Sequence, residues 1–364
     1  MNPNQIVSVD CIPMRLPFHH WSSPPLFAGK VRNKIDSALV RVETSDGTVA
    51  WGESYCAEPA ALIAVFDSLI SPLAREKDAG DPDLMTQLER TLQNLGRSGP
   101  VIHALAGLDI ALWDLRAKRE KVPLYVLFGG KKRDRVRAYA SLLQYYGNTE
   151  LIQAISTQAL NEGYTEIKLH ERTATALAAT RMATGPDIPI MIDTNCAWLP
   201  NEALAVIEEM KEYEPFWIEE PLWPPEDHIA LKNLKNTCGI PVAVGENASS
   251  IFDLQQLIAE NAVDYVQPSM IKVGVSASFA ISRLCHSKLK CAPQVAYFGP
   301  GYLASLHLIA SLDYDVSLER LYLELAHTPY AETVPILDGW VDIPDSPGLG
   351  ADPESELIQG LYAK

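Results

Sequence analysis

Three carboxylates stand out by residue type and spacing. Asp193, Glu219 and Glu246 each close a short apolar run, IPIMID (188–193), PFWIE (215–219) and PVAVGE (241–246), and follow one another at intervals of 26 and 27 residues. Brought together, three oxygen donors with room for water and substrate oxygens select a hard cation, and octahedral Mg²⁺ is the natural occupant. Any one of them alone could equally be a helix N-cap after a strand, but three in succession at one period favour convergence on a cation. One run earlier, EIKLH (166–170) carries Lys168 and His170 two residues apart, hence on one face of a strand. A neutral histidine there can accept a proton near pH 7, although an alternating strand can also aim a histidine at any polar neighbour.

The elements that must position these groups show the same period. From residue 135 onward, eight β-like runs alternate with helical stretches: VRAYAS (136–141), EIKLH, IPIMID, PFWIE, PVAVGE, VDYVQPS (263–269), KCAPQ (290–294) and VSLE (316–319). Their polar ends Lys168, Asp193, Glu219, Glu246, Ser269, Gln294 and Glu319 are separated by 25, 26, 27, 23, 25 and 25 residues. A strand, a crossover helix and two loops need about that length. Eight such units closing on themselves make a TIM barrel, in which the carboxyl ends of the strands share one mouth. A doubly wound open sheet is the competing α/β arrangement, but no glycine-rich phosphate loop follows a first strand.

The amino-terminal part has a different rhythm. Ile6 to Leu16 and Lys34 to Glu43 read as strands, Ser45-Asp46-Gly47 as a hairpin turn before Val49 to Gly52, and helices are predicted at Ala60 to Leu73, Asp81 to Leu95 and Val101 to Arg119. The expected organisation is an α+β capping domain over 1–125, a β/α barrel over 126–330 and a terminal segment over 331–364.

With 364 residues, 47% of them hydrophobic, the chain can fill a large core and exceeds one typical domain. Its formal net charge of −16 opposes nucleic acid or an anionic membrane as a partner and suits a small-molecule substrate. Six scattered cysteines form no CxxC pair, so neither a disulfide framework nor a zinc knuckle is expected. No basic, apolar leader and no window of about 18 apolar residues is present, which points to the cytoplasm.

The motifs MIDTN (191–195), WIEEP (217–221) and VGEN (244–247) resemble the metal-ligand strands of the mandelate racemase and muconate lactonizing branch of the enolase superfamily. GLDIALWDLRAK (107–118) and PLYVLFGG (123–130) resemble its domain junction, and VSLERLYLEL (316–325) and VDIPDSPGLG (341–350) resemble the tail of the mandelate racemase group. The resemblance implies a modified TIM barrel with an α+β cap, a homo-oligomer, and Mg²⁺ held by Asp193, Glu219 (rather than Glu220) and Glu246. It also implies that Asn195 lies near a substrate carboxylate, that Lys168 contacts that carboxylate, that His170 stands where the family usually has a lysine base, and that Glu319 hydrogen-bonds the developing enediolate.

The opposite side departs from the pattern: Ser269 and Gln294 occupy the places of the Asp-His dyad of mandelate racemase relatives, and lysine is absent from the sixth-strand end unless Lys272 reaches in. One-base chemistry survives this. The expected reaction is abstraction of the proton alpha to a carboxylate, then dehydration of a sugar acid or other small hydroxy acid to a 2-keto-3-deoxy acid. A racemase, epimerase or lactone cycloisomerase is the alternative, and a non-catalytic carboxylate-binding barrel a further one. His19, His20, Trp21, Tyr55 and Tyr297 are candidate acids or substrate contacts, with Gln294 beside them; a specificity-setting or packing loop is the plainer role for FHHW (18–21), and His307 reads as structural.

Overall fold

The computed structural model describes residues 2–27, 29–327, 330 and 334–354. The amino-terminal sheet is antiparallel, with Lys34–Thr44 between Ile6–His19 and Val49–Tyr55. Its central strand is buried on both faces, and period-two alternation decides where each side chain goes. Ala38, Val40 and Val42 pack with the capping helices, whereas Ile35 and Leu39 join the barrel core. The sheet is thus the layer between two cores.

The helix Pro100–Glu120 lies directly on this sheet because glycines meet there: a Cβ on Gly52 would lie 1.9 Å from the Gly107 carbonyl oxygen. Two predicted helices end differently. The helix expected from Asp81 begins at Leu84, since Pro82 disfavours a helical Asp81, and Leu84, Leu88 and Leu92 form its buried stripe. The helix expected over 60–73 runs Pro59–Val65 and Ser71–Ala74 around a π-turn at Phe66–Ile70. The first strand also outlasts its predicted end at Leu16, because Phe18 and His19 pair with Leu325 and Glu324.

Eight parallel strands follow: Arg135–Leu142, Ile167–Leu169, Ile190–Asp193, Trp217–Glu219, Val242–Val244, Tyr265–Val266, Lys290–Cys291 and Leu318–Tyr322. The first pairs with the second and the eighth, and pairing then passes in sequence from the second to the seventh. Among the described residues no ladder joins the seventh to the eighth; the Val295 N–H instead donates to the Glu319 carboxylate at 2.9 Å. This is a β/α barrel with an α+β cap.

Buried cap carboxylates fix the two parts together by accepting barrel hydrogen bonds. Glu53 accepts from the Gly301 N–H at 3.0 Å, and Asp109 from the Ser276 N–H at 2.8 Å. In the terminal segment Leu349 donates its N–H to Asp114 at 2.9 Å and Asp352 pairs with Lys118 at 2.6 Å, while residues 331–333 and 355–364 lie outside the described residues. No described helix is long and apolar enough to cross a membrane.

Candidate active site

Short buried strands end at the barrel mouth and deliver polar side chains there. Asp193, Glu219 and Glu246, from the third and fourth strands and just past the fifth, offer carboxylate oxygens that all lie within 4.8 Å of one another. Glu219 rather than its neighbour faces the other two: Glu220 has φ 42° and turns its carboxylate to the Gly245 N–H at 2.9 Å. Gly245 permits this turn, with φ 144° and Gln267 backbone 2.8 Å from where a Cβ would stand. Beneath Glu219, Trp217 points the same way by strand alternation and donates its indole N–H to Oε2 at 3.0 Å.

Lys168 is fully buried among acids. Its Nζ lies 2.7 Å from Glu219 Oε1, 2.7 Å from Glu319 Oε1 and 3.3 Å from Asp193 Oδ2. Burial opposes its charge, but the fields of Glu219, Glu319 and Asp193 prevail and raise its pKa well above the ordinary lysine value. These ion pairs hold it as a cation. Glu319 also accepts from Ser141 Oγ at 2.8 Å and from the Val295 N–H, so three hydrogen bonds hold it beside Lys168.

His170 Nδ1 lies 2.7 Å from the Leu142 carbonyl oxygen, and its Nε2 3.2 Å from Asp193 Oδ2. Burial alone would lower its pKa, but Asp193 outweighs that and raises it. Burial likewise opposes ionisation of the three acids. At Asp193 the charges of Lys168 and His170 hold the pKa below the usual range, whereas Glu219 and Glu246 stay raised. This all-oxygen donor set is short of positive charge and fits a hard divalent cation.

Above the acids opens a cavity of about 490 Å³ lined by His170, Asn195, Glu246, Tyr55, Gln294 and Tyr297 together with residues of the cap. Asn195, with φ 48°, donates its backbone N–H and its amide to Asp193 Oδ1 at 3.0 and 2.9 Å. Tyr55 faces inward with Lys272 Nζ 4.9 Å from its ring centre, and burial raises its pKa to about 12. Tyr297 offers only its ring: its hydroxyl donates to the Gln294 carbonyl at 2.8 Å and accepts from the Met270 N–H at 3.1 Å.

His20 is not among the lining residues. It is buried and stacked on Tyr145 at 5.8 Å, because the preceding strand continues through His19 and turns the next side chain inward. His19 is exposed beside Glu324, and His307 is buried against the Leu349 carbonyl at 3.1 Å. Lys272 does reach the cavity, donating to the Glu246 carbonyl at 2.9 Å. Arg32 and Arg172 line it too, and sequence reasoning missed both. Arg172 follows His170 by two residues, a signal that could have found it; Arg32 lies 138 residues upstream and gave none.

Comparison with known proteins agrees with this architecture. Residues 151–357 match the family model described as enolase C-terminal domain-like, and residues 15–129 match the mandelate racemase / muconate lactonizing enzyme N-terminal domain. The chain is 29% identical over 356 residues to D-galactarolactone cycloisomerase of Agrobacterium fabrum, covering 92% of this chain and 93% of that protein. It is also 29% identical over 361 residues to D-gluconate dehydratase of Thermoproteus tenax, covering 90% and 70%. The crystal structure of the 3,6-anhydro-D-galactonate cycloisomerase from Zobellia galactanivorans superimposes with a TM-score of 0.84 at 25% identity, covering 99% of this chain and 100% of that one. The chain belongs to the mandelate racemase and muconate lactonizing enzyme family of the enolase superfamily.

Proposed function

We propose that the protein is a Mg²⁺-dependent dehydratase that converts a sugar acid, or another small hydroxy acid, to a 2-keto-3-deoxy acid. One observation carries this reading: the Asp193, Glu219 and Glu246 carboxylates converge within 4.8 Å, and His170 stands 3.2 Å from one of them on the wall of an open cavity. The three carboxylates would hold Mg²⁺, which supplies charge stabilisation to a substrate carboxylate as negative charge builds on it. Lys168, kept charged by its acidic partners, supplies a second fixed positive charge.

His170 takes the alpha proton. The Leu142 carbonyl keeps a proton on Nδ1, so Nε2 is the accepting atom. The electron pair of the broken C–H bond moves into the enediolate, then expels the beta hydroxyl as its C–O bond breaks. Protonated His170 returns its proton to that hydroxyl, which leaves as water, and the enol tautomerises to the 2-keto acid. Asn195 holds Asp193 in place, while Gln294 and Tyr55 border the cavity as polar contacts.

A cycloisomerase is the second reading, favoured by the names of the Agrobacterium and Zobellia relatives, which match over nearly their full lengths. The two share the first proton transfer and differ in the fate of the enediolate. Proton NMR with Mg²⁺ and a library of sugar acids and lactones in D₂O separates them. Loss of the alpha proton with a 2-keto-3-deoxy product supports dehydration; isomerisation or exchange without water loss replaces it with an isomerase. Inertness toward the whole library would refute both.

A further inference from the structure

The cavity has a second pole. Its acids cluster at the floor, whereas Arg32, Arg172 and Lys272 contribute positive charge to the lining. Lys272 is engaged with the Glu246 carbonyl and the Tyr55 ring. Arg32 is different. Its guanidinium lies 4.9 Å from the ring centre of Phe27, and among the described residues no carboxylate stands within ion-pair distance of it.

Two other half-buried arginines, Arg181 and Arg320, also lack a carboxylate within ion-pair distance among the described residues, but Arg181 donates to backbone carbonyls, Arg320 lies over the Phe298 ring, and neither lines this cavity. The partly buried Arg41, Arg119 and Arg133 each have a carboxylate, at 2.7, 3.3 and 2.6 Å. Arg32 is itself half-buried, and burial lowers its pKa against the opposing fields of Tyr55, Asp36 and Glu246. It also borders a second cavity of about 350 Å³, since Phe27, Arg32 and Tyr55 line both. A planar charged fork with no carboxylate within ion-pair distance among the described residues, facing a substrate cavity, suits bidentate capture of a carboxylate.

We propose that Arg32 binds a second carboxylate at the far end of the substrate, which makes the substrate class a sugar diacid and not a monoacid. This rests on the reading of the site as one that abstracts the proton alpha to the first carboxylate. The two poles then divide the ligand: the floor, with Lys168, takes the reacting end, and Arg32 takes the other. Arg32 is a specificity-determining residue with no part in proton transfer.

The test uses matched pairs of six-carbon acids, D-glucarate against D-gluconate and galactarate against D-galactonate, with the full chain and Mg²⁺. Alpha-proton exchange by NMR and binding by titration calorimetry are read in parallel. Expected is a preference of about 100-fold in kcat/KM for a diacid, lost mainly through KM in Arg32→Gln and partly restored in Arg32→Lys, with monoacid turnover changed less than about threefold. The monoacid also reports that the variant is folded. Equal effects of Arg32→Gln on both acids, a monoacid preference in the parent, or loss of diacid selectivity in Arg172→Gln instead would overturn the proposal and leave the reaction standing. Diacid binding that depends on Arg32 without any exchange would support the subsite and refute the reaction. Neither exchange nor Arg32-dependent binding would refute both.

Discussion

The carbonyl oxygen of Leu142, at the end of the first barrel strand, lies 2.7 Å from Nδ1 of His170, just past the end of the second. A carbonyl can only accept, so neutral His170 carries its proton on Nδ1 and presents Nε2 as its basic atom. His170→Asn should therefore reduce alpha-proton exchange by about 10³-fold while leaving metal binding within a few fold of the parent. Exchange measured by NMR alongside calorimetric metal titration checks both; equal loss of the two would make His170 a structural residue.

The same histidine should report on Asp193. In metal-free protein its NMR titration midpoint is expected above the ordinary 6.5, because the Asp193 field exceeds the cost of burial. Replacing Asp193 with Asn removes the opposing field and leaves burial, so the midpoint should fall below 6.5. A base acts only when neutral, so exchange should rise with pH through the His170 pKa, and that limb should move to lower pH when a cation draws on Asp193.

Removing any of the three carboxylates proposed to hold the metal should be the most damaging change at the site. Asp193→Asn, Glu219→Gln and Glu246→Gln are each expected to lower turnover by at least about 10³-fold and to weaken Mg²⁺ or Mn²⁺ binding. Calorimetry and chelator competition measure the second effect. Full activity in EDTA would refute the metal assignment.

Trp217 supports one carboxylate of the proposed metal site from below. Trp217→Phe keeps most of the buried ring but removes the 3.0 Å hydrogen bond to Glu219 Oε2, so metal affinity should drop about 10- to 100-fold with the fold intact. Unchanged affinity would show that Lys168 alone orients Glu219.

Glu53 should make cap docking pH-dependent. Burial raises its pKa from 4.5 to about 7, against hydrogen bonds from Ser37 and the backbone of Gly301 and Gly299. Between those values the folded state holds a proton that the unfolded chain has released, so this group's contribution to stability falls as pH rises through the window and is level above it. Glu53→Gln cannot ionise. Relative to the parent it should gain on the order of 3 kcal/mol between pH 4 and pH 8, read as diverging denaturation midpoints.

The barrel strands and the floor of the site were legible because both rest on local pattern. Apolar runs recur at 23 to 27 residues, and in a β/α barrel the residue closing each strand must face the mouth. That rule brought together Lys168, Asp193, Glu219 and Glu246, the family resemblance chose Glu219 over Glu220, and the two-residue parity of Lys168 and His170 placed the histidine beside them. The rule does not reach FHHW, where His20 was a candidate substrate contact: pairing of Phe18 and His19 with Leu325 and Glu324 prolonged a strand and sent His20 to pack on Tyr145. Pairing partners more than 300 residues away leave no trace in a short motif.

By itself, then, the sequence determined the barrel, its cap and the set of acids at one mouth, since strand period and side-chain alternation are properties of the chain taken a few residues at a time. Only the tertiary structure decided which groups remain free to act. Packing committed the Tyr297 hydroxyl and Glu319 to hydrogen bonds within the protein, fixed the proton on His170 Nδ1, brought Lys272 to the cavity, and left Arg32 facing it with no carboxylate within ion-pair distance among the described residues. Each outcome depends on what lies across the fold, because a hydrogen bond or a charge is satisfied by whichever neighbour arrives, and no local pattern names that neighbour.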